Sequence, residues 1–291
     1  GAEAIGGVVN FFTKAAPTKK AVELANQINS LGFKRVEASI GLPTKKGGWL
    51  LNANWGGQKN GPIDYSNYKK KAFSIRHDFL LNEKWKGFQT LQYIDYYAQM
   101  TGSVDSIRFV EQNFKSLQTF TYRQLNALRL RQNLEYNWNA YHQSVFNVLY
   151  RDNQMDQNPT YAIASTNNPI KFKGQTNSNL FHSIVFDFQH ILSIPSLHSK
   201  IIAGGSFDNT QQNLKAKYID IIKDSIQVKF TSFSYPSKDS LLTNYQTDIQ
   251  NAAMYINLLT NLHEQTLPSI SFHKLFVAKY FFYIHGICKK R

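Results

Sequence analysis

The chain has little of what most enzymes and soluble domains depend on. One cysteine, Cys288, stands among 291 residues, so no disulfide can form within the chain and no thiolate cluster can hold a metal. No run of eighteen apolar residues occurs, which leaves no candidate for a membrane-crossing helix. The nearest stretch, Phe276 to Ile287, is interrupted by Lys279 and His285. Charged residues make up only 18%, against the roughly one quarter usual for globular domains. A basic start followed by an apolar segment is also missing, so no signal peptide is visible.

The excess charge that does exist is positive, +14. A nucleic-acid binder would couple it to a basic patch and a recognisable module. Here the lysines and arginines are scattered as pairs and triplets, among them Lys19-Lys20, Lys34-Arg35, Lys45-Lys46 and Lys69-Lys70-Lys71. No helix-turn-helix, zinc-finger or RNP pattern accompanies them, so nucleic acid is not an expected partner. Basic side chains at strand ends suit anionic lipid headgroups better.

Catalytic and metal motifs are equally thin. The eight histidines include His77, His142, His182 and His190, and none completes a His-Glu-x-x-His pattern. His182 and His190 share a strand face but lie about 26 Å apart by strand rise, too far for one ion. A lipid-side Ser-His pair, such as Ser144 beside His142, could in principle serve a membrane lipase. The sequence offers many such serines and no geometry to choose among them. The expectation is therefore no enzyme, no metal and no cofactor, with structural histidines.

What the chain has is alternation. There are 16 Tyr and 21 Phe, many spaced two apart and separated by polar uncharged residues. In Trp49 to Trp55 one face reads Trp49, Leu51, Ala53, Trp55 and the other Leu50, Asn52, Asn54. Phe73, Ile75 and Phe79 oppose Ser74, Arg76 and Asp78. Leu128, Leu130, Leu134, Tyr136 and Trp138 oppose Arg129, Arg131, Asn133 and Glu135, with Gln132 a polar intruder on the apolar side. Phe146, Val148 and Tyr150, and Ile184, Phe186 and Phe188, continue the pattern. Period two with unlike faces predicts strands. Apolar faces that end in aromatics, against polar faces that carry opposite charges, suit a wall between lipid and water.

Strands are predicted near residues 20–30, 33–41, 48–57, 69–81, 86–98, 123–138, 142–152, 178–192, 199–210 and 250–262. Their connections alternate short and long. Turns fall at 42–47, 82–85, 139–141 and 193–196, and long loops at 57–68, 99–122, 153–177 and 211–249. The brief first gap, 30–32, breaks the strictness of the rule. Outer-membrane barrels show this asymmetry; a soluble sandwich has no reason to. Past Leu262 the alternation stops. Residues 263–291 are expected to be an irregular or aberrant tail, with an odd eleventh strand as the alternative.

The beginning of the chain then takes on meaning. Ala4-Ile5-Gly6-Gly7-Val8-Val9-Asn10, followed by Thr13-Lys14, resembles the end of the plug domain of TonB-dependent outer-membrane receptors. By residues alone, Gly-Gly-Val-Val is also an ordinary turn-then-strand signal. Segments 150–161 and 235–255 further resemble barrel segments of receptors from Bacteroidetes-type bacteria. The resemblance implies an all-β fragment: residues 1–17 as the end of the plug, and 18–262 as the first half of a partial transmembrane antiparallel β-barrel. That half would be about ten of roughly 22 strands. It implies a chain that starts in mid-protein, in the outer membrane of a Gram-negative cell. The activity implied is uptake of a ferric siderophore or similar iron complex, with the TonB complex, lipid and lipopolysaccharide as partners. Glycan, haem or cobalamin uptake, or a binding or adhesion barrel without transport, are the alternatives. For an anionic, partly aromatic ligand the candidate contacts are Tyr65, Tyr68, Tyr96, Tyr97, Arg151 and Tyr161, with Tyr218, Tyr235 and Tyr245 in the loops. Lys69–Lys71 could meet lipopolysaccharide phosphates.

Overall fold

A computed structural model describes residues 13–102, 106–113, 115–116, 118–159, 162–224, 226, 229–236, 240–260 and, as backbone, 270–286. The plug-like motif Ala4–Asn10 and Tyr161 lie outside the described residues. The chain is a meander of long strands: β1 (Ala21–Ile28), β2 (Phe33–Thr44), β3 (Gly47–Gln58), β4 (Tyr68–Leu80), β5 (Trp85–Gln99), β6 (Tyr122–Asn137) and β7 (His142–Asn158). The two-residue β8 (Ala164–Ser165) follows, then β9 (Lys171–Ile194), β10 (Ser199–Lys223), the short β11 (Phe230–Ser234), β12 (Leu241–Thr260) and β13 (Ile270–Gly286). One five-residue helix, α1 (Ser106–Val110), interrupts the loop before β6.

Each long strand pairs antiparallel with the next, in the order β1-β2-β3-β4-β5-β6-β7-β9-β10-β12-β13. β8 pads β9 and β11 pads β10. Among the described residues β1 and β13 each pair on one side only, so the sheet is an open wall rather than a closed cylinder.

The tight connections are built by local chemistry. β2 and β3 join through Lys45-Lys46, with Gly47 at φ 143°; a Cβ there would sit 2.0 Å from the Asp78 carbonyl oxygen. The side-chain oxygen of Asn82 accepts the N–H groups of Lys84 and Trp85, both at 2.9 Å. Asn139 repeats the device for Tyr141 and His142 at 2.8 and 3.0 Å. These are Asx turns, in which a short polar side chain replaces a backbone partner. Pro195–Leu197 closes the turn between β9 and β10 as one turn of 3-10 helix. All four lie at one end of the wall, the turn end. The longer connections, 59–67, 100–121, 159–170 and 224–240, lie at the other.

The register fixes the two faces. Ile40, Leu51, Ile75, Leu91, Leu130, Tyr150 and Ile184 are successive cross-strand partners, and so are Ala53, Phe73, Tyr93 and Leu128. These rows make a continuous apolar outer face on which Trp55, Phe73, Tyr93, Leu130, Phe186 and Phe188 are all exposed. Rings gather at its turn-end margin, where Trp85 lies 4.6 Å from Tyr136 and Tyr136 meets Trp138 edge-on at 4.8 Å. An apolar band edged by aromatics is the surface a bilayer requires, and between the two edge strands its backbone groups are paired along the sheet. Gln132 is not alone on this face. His77 and Gln89 are its neighbours in the same row, and Trp49 stacks on His77 with centroids 4.0 Å apart.

Three expectations are corrected. Residues 270–286 are not an irregular tail but β13, registered against β12 from Thr260↔Ile270 to Tyr245↔Gly286. Aromatic and β-branched residues there favour extended chain, and the free edge of β12 supplies a partner even where alternation is blurred. Strands β7, β9, β10 and β12 are also longer than expected, at 17, 24, 25 and 20 residues. Much of the loops expected at 153–177 and 211–249 is therefore strand. Above the apolar band both faces are polar, so the period-two contrast disappears while the ladder continues. Third, Tyr218 and Tyr245 lie within β10 and β12 rather than in loops.

A small core sits at the loop end. Ile219, Ile221 and Phe230 are buried against Phe120, Ile163 and Phe172. Among the described residues the rest of the wall has no central core, which is what a sheet with one face in lipid and one in water predicts.

Candidate functional site

The inner face is defined by residues 13–18, which lie against it. The Ala16 N–H donates to Asp78 Oδ2 at 2.8 Å, and Arg76 Nη1 donates to Thr13 Oγ1 at 3.0 Å. Pro17 covers Gly41, where an added Cβ would meet its ring at 2.2 Å. The chain thus enters the wall from inside, at the turn end.

Polar side chains line this face in connected groups. Arg76 grips Asp78 through two nitrogens at 2.8 and 2.6 Å, and its guanidinium carbon lies 4.0 Å over the Phe88 ring. Arg131 donates to Asn147 at 3.1 Å, and Asn147 in turn donates to Asp187 at 3.3 Å. Arg151 donates to Ser183 at 3.0 and 2.7 Å and pairs with Asp208 at 3.3 Å. A hydrogen-bonded polar lining of this kind belongs to an aqueous lumen, and on the same face the buried side-chain oxygens of Asn133 and Asn153 have no protein partner.

Towards the loop end the register assembles a basic and aromatic cluster. Arg35, Gly56, Lys70, Tyr96 and Leu125 form one inner row. Phe33, Gln58, Tyr68, Ala98 and Arg123 form the next. Phe33 and Tyr68 rings are 6.4 Å apart. Glu37 neutralises Arg35 at 2.6 Å, and Arg123 donates to the buried Gln157 at 3.3 Å. Lys70 has no ion-pair partner among the described residues. Three cations and three rings on one wall can hold an anionic ligand with flat apolar parts.

The sequence-predicted contacts divide. Tyr68 and Tyr96 come together in this cluster. Tyr97 points to the outer face, where it stacks on Tyr122 at 5.8 Å. Tyr65 sits in the 59–67 loop at φ 54°, with Lys229 Nζ 5.5 Å from its ring. Arg151 lies midway along β7 and is already engaged by Asp208. Arg35, Lys70 and Arg123 were missed, yet parity with Ser74 and Arg76 would have placed Lys70 inside. The Lys69–Lys71 triplet is split, with Lys69 and Lys71 outside.

The loops beyond this cluster interlock. Lys229 pairs with Asp64 at 3.6 Å, and the Thr119 hydroxyl donates to the Phe230 carbonyl. Phe120 packs on Phe233 at 5.1 Å. Loops 59–67, 100–121 and 224–240 are thereby joined.

No family model matches the chain, and no curated protein does. Solved structures do. The ferric citrate transporter FecA, in its unliganded form, superposes with a TM-score of 0.62 at 12% identity, over 93% of this chain and 43% of that one. The FpvAI–pyocin S2 complex gives 0.68 at 12% identity, over 93% and 41%. BauA, the ferric preacinetobactin receptor of Acinetobacter baumannii, gives 0.62 at 9% identity, over 90% and 45%. The fold is that of a siderophore-receptor barrel wall. At these identities the likeness is one of fold, and it agrees with the TonB-dependent receptor resemblance at the start of the sequence. The chain spans less than half the length of each of these three.

Proposed function

We propose that this chain is part of a TonB-dependent active transporter in the outer membrane of a Gram-negative bacterium, taking up a ferric siderophore or a similar anionic iron complex. The observation that carries the reading is the seating of residues 13–18 on the inner face, hydrogen-bonded to Asp78 and Arg76. A chain that enters its barrel from within is leaving a plug, and residues 1–17 are read as the plug's end. The turn end is then periplasmic and the interlocked loops are extracellular. The TonB complex acts through protein N-terminal to this chain. Lys69 and Lys71, on the outer face at the extracellular side, meet lipopolysaccharide phosphates.

In this reading Arg35, Lys70, Arg123, Tyr68 and Tyr96 receive the ligand at the mouth of the lumen. The cations supply charge and the rings supply flat contact, and the polar wall below keeps the path wet. No bond is made or broken by the protein; energy enters through the plug.

The test is growth and radioactive iron uptake under iron limitation, with the gene intact, deleted, or carrying Lys70→Gln with Arg123→Gln. Uptake should need both the gene and TonB. The double variant should raise the half-saturating concentration about tenfold or more, as expected for two lost charge-assisted contacts. Uptake that is unchanged without TonB would sink the proposal.

A further inference from the structure

Strands β7 and β9 are neighbours, and their register sets Ser144 opposite His190 and His142 opposite Leu192, on the outer face near the turn end. His142 Nδ1 and His190 Nε2 face each other at 3.2 Å. The ring centroids are 5.5 Å apart with planes at 42°. The other nitrogen of His190 lies 2.9 Å from Ser144 Oγ, and that oxygen also accepts the Trp138 indole N–H at 3.0 Å. Ser144 is buried and both imidazoles are half-buried. When His190 donates from Nδ1 to the serine, its Nε2 lone pair is aimed at His142. A ring whose far nitrogen is held by a fixed hydrogen bond is the usual support of a metal-binding histidine.

We propose that His142 and His190 chelate one divalent transition-metal ion of the zinc or copper type on the outer face, with water in the remaining positions. Two nitrogens each about 2.0–2.1 Å from an ion, at a tetrahedral angle, lie roughly 3.3 Å apart. The observed 3.2 Å is a head-on hydrogen-bonded contact, and a rotation of the two rings turns both lone pairs towards a shared ion at nearly the same separation. Imidazole pairs select zinc and copper over magnesium and calcium. Among the described residues no group of three His, Cys, Asp or Glu exists, so the protein supplies two ligands and the rest of the coordination sphere stays exchangeable. Each ring would coordinate as the neutral imidazole and keep one N–H, that of His190 on Nδ1 towards Ser144 and that of His142 on Nε2. The ion would add a side-chain cross-link to two strands already paired along their ladder.

The test uses the full-length protein in detergent, free of any affinity tag, titrated with copper(II) chloride and zinc chloride. One equivalent per chain should bind, and the copper electron paramagnetic resonance spectrum should show coupling to two nitrogens. His142→Ala and His190→Ala should each weaken binding at least about tenfold, with heat-modifiable migration showing that the barrel has formed. Three results would overturn the proposal: no uptake of either ion by the wild type up to millimolar concentration, a spectrum without two-nitrogen coupling, or unchanged affinity in the double variant. The spectrum needs no variant, so a substitution that fails to fold does not protect the idea.

Discussion

Asp78 holds the backbone of Ala16: one carboxylate oxygen accepts the Ala16 N–H at 2.8 Å while both oxygens are bridged by Arg76. Sixty-two residues separate the partners, so this contact is the hinge pin between the entering segment and the wall. Asp78→Ala removes the acceptor and leaves the Arg76 guanidinium, itself mostly covered, without its counter-charge. The cost should be about 1–3 kcal/mol, short of the value for a fully buried pair. Limited proteolysis should show the change first, as faster trypsin cleavage after Lys14, Lys19 and Lys20 with the barrel still heat-modifiable. Equal cleavage in wild type and variant would mean that the segment is held by something else.

Phe188 and Gln189 are adjacent on β9 and face opposite ways. Phe188 is two residues beyond His190, whose row runs through Ser144 and Tyr136 to Trp85 at the aromatic margin, so it lies just inside the apolar band. Phe188→Arg should cost about 1–2 kcal/mol in urea unfolding from lipid vesicles, between the interface and midplane values. Gln189→Arg should cost much less, because the new cation meets water and the neighbouring Asp187, which Gln189 already reaches at 3.4 Å. Equal costs would contradict the assignment of faces.

How far the sequence carried this can be judged from β3, β4 and β6. Trp49, Phe73 and Leu130 fell on the lipid side as expected, because inside the apolar band the alternating contrast is strong. Outside the band the same chain gave no signal. Asn177, Asn179, Gln211 and Asn213 are all polar whichever way they face, so strands β9 and β10 extend into stretches expected to be loop. The lumen cluster was half legible. Tyr68 and Tyr96 were picked for their chemistry, but Arg35 and Arg123 needed the register, which depends on turn lengths rather than on composition. The His142–His190 contact was illegible, since 48 residues and a long connection separate two rings that only strand pairing unites.

Arg129 and Arg151 stand directly opposite each other on β6 and β7, two like charges on one inner face. Such pairs destabilise a sheet unless compensated. Arg151 is compensated by Asp208, whereas Arg129 has no ion-pair partner among the described residues. Asp208→Asn should therefore cost about 1 kcal/mol at low salt. Adding Arg129→Gln should restore most of it, and raising the salt should shrink both effects. A double-mutant cycle in urea measures the coupling; strictly additive effects would show that the two guanidinium groups do not sense one another.

The interlocked loops should be separable from the wall. Ile219 is fully buried and packs with Ile221, Phe230 and Phe172 beyond the apolar band. Ile219→Ala removes a large part of that core's contact, at about 2–4 kcal/mol if the gap does not collapse. The strands below keep their ladder and their lipid contact, so the barrel should remain heat-modifiable. Hydrogen exchange should quicken in 100–121 and 224–236, where the Thr119–Phe230 and Asp64–Lys229 contacts join the loops, and stay slow in β4 to β7. Loss of the barrel itself in this variant would mean that the loop core helps to fold the wall, and the two would then be one cooperative unit.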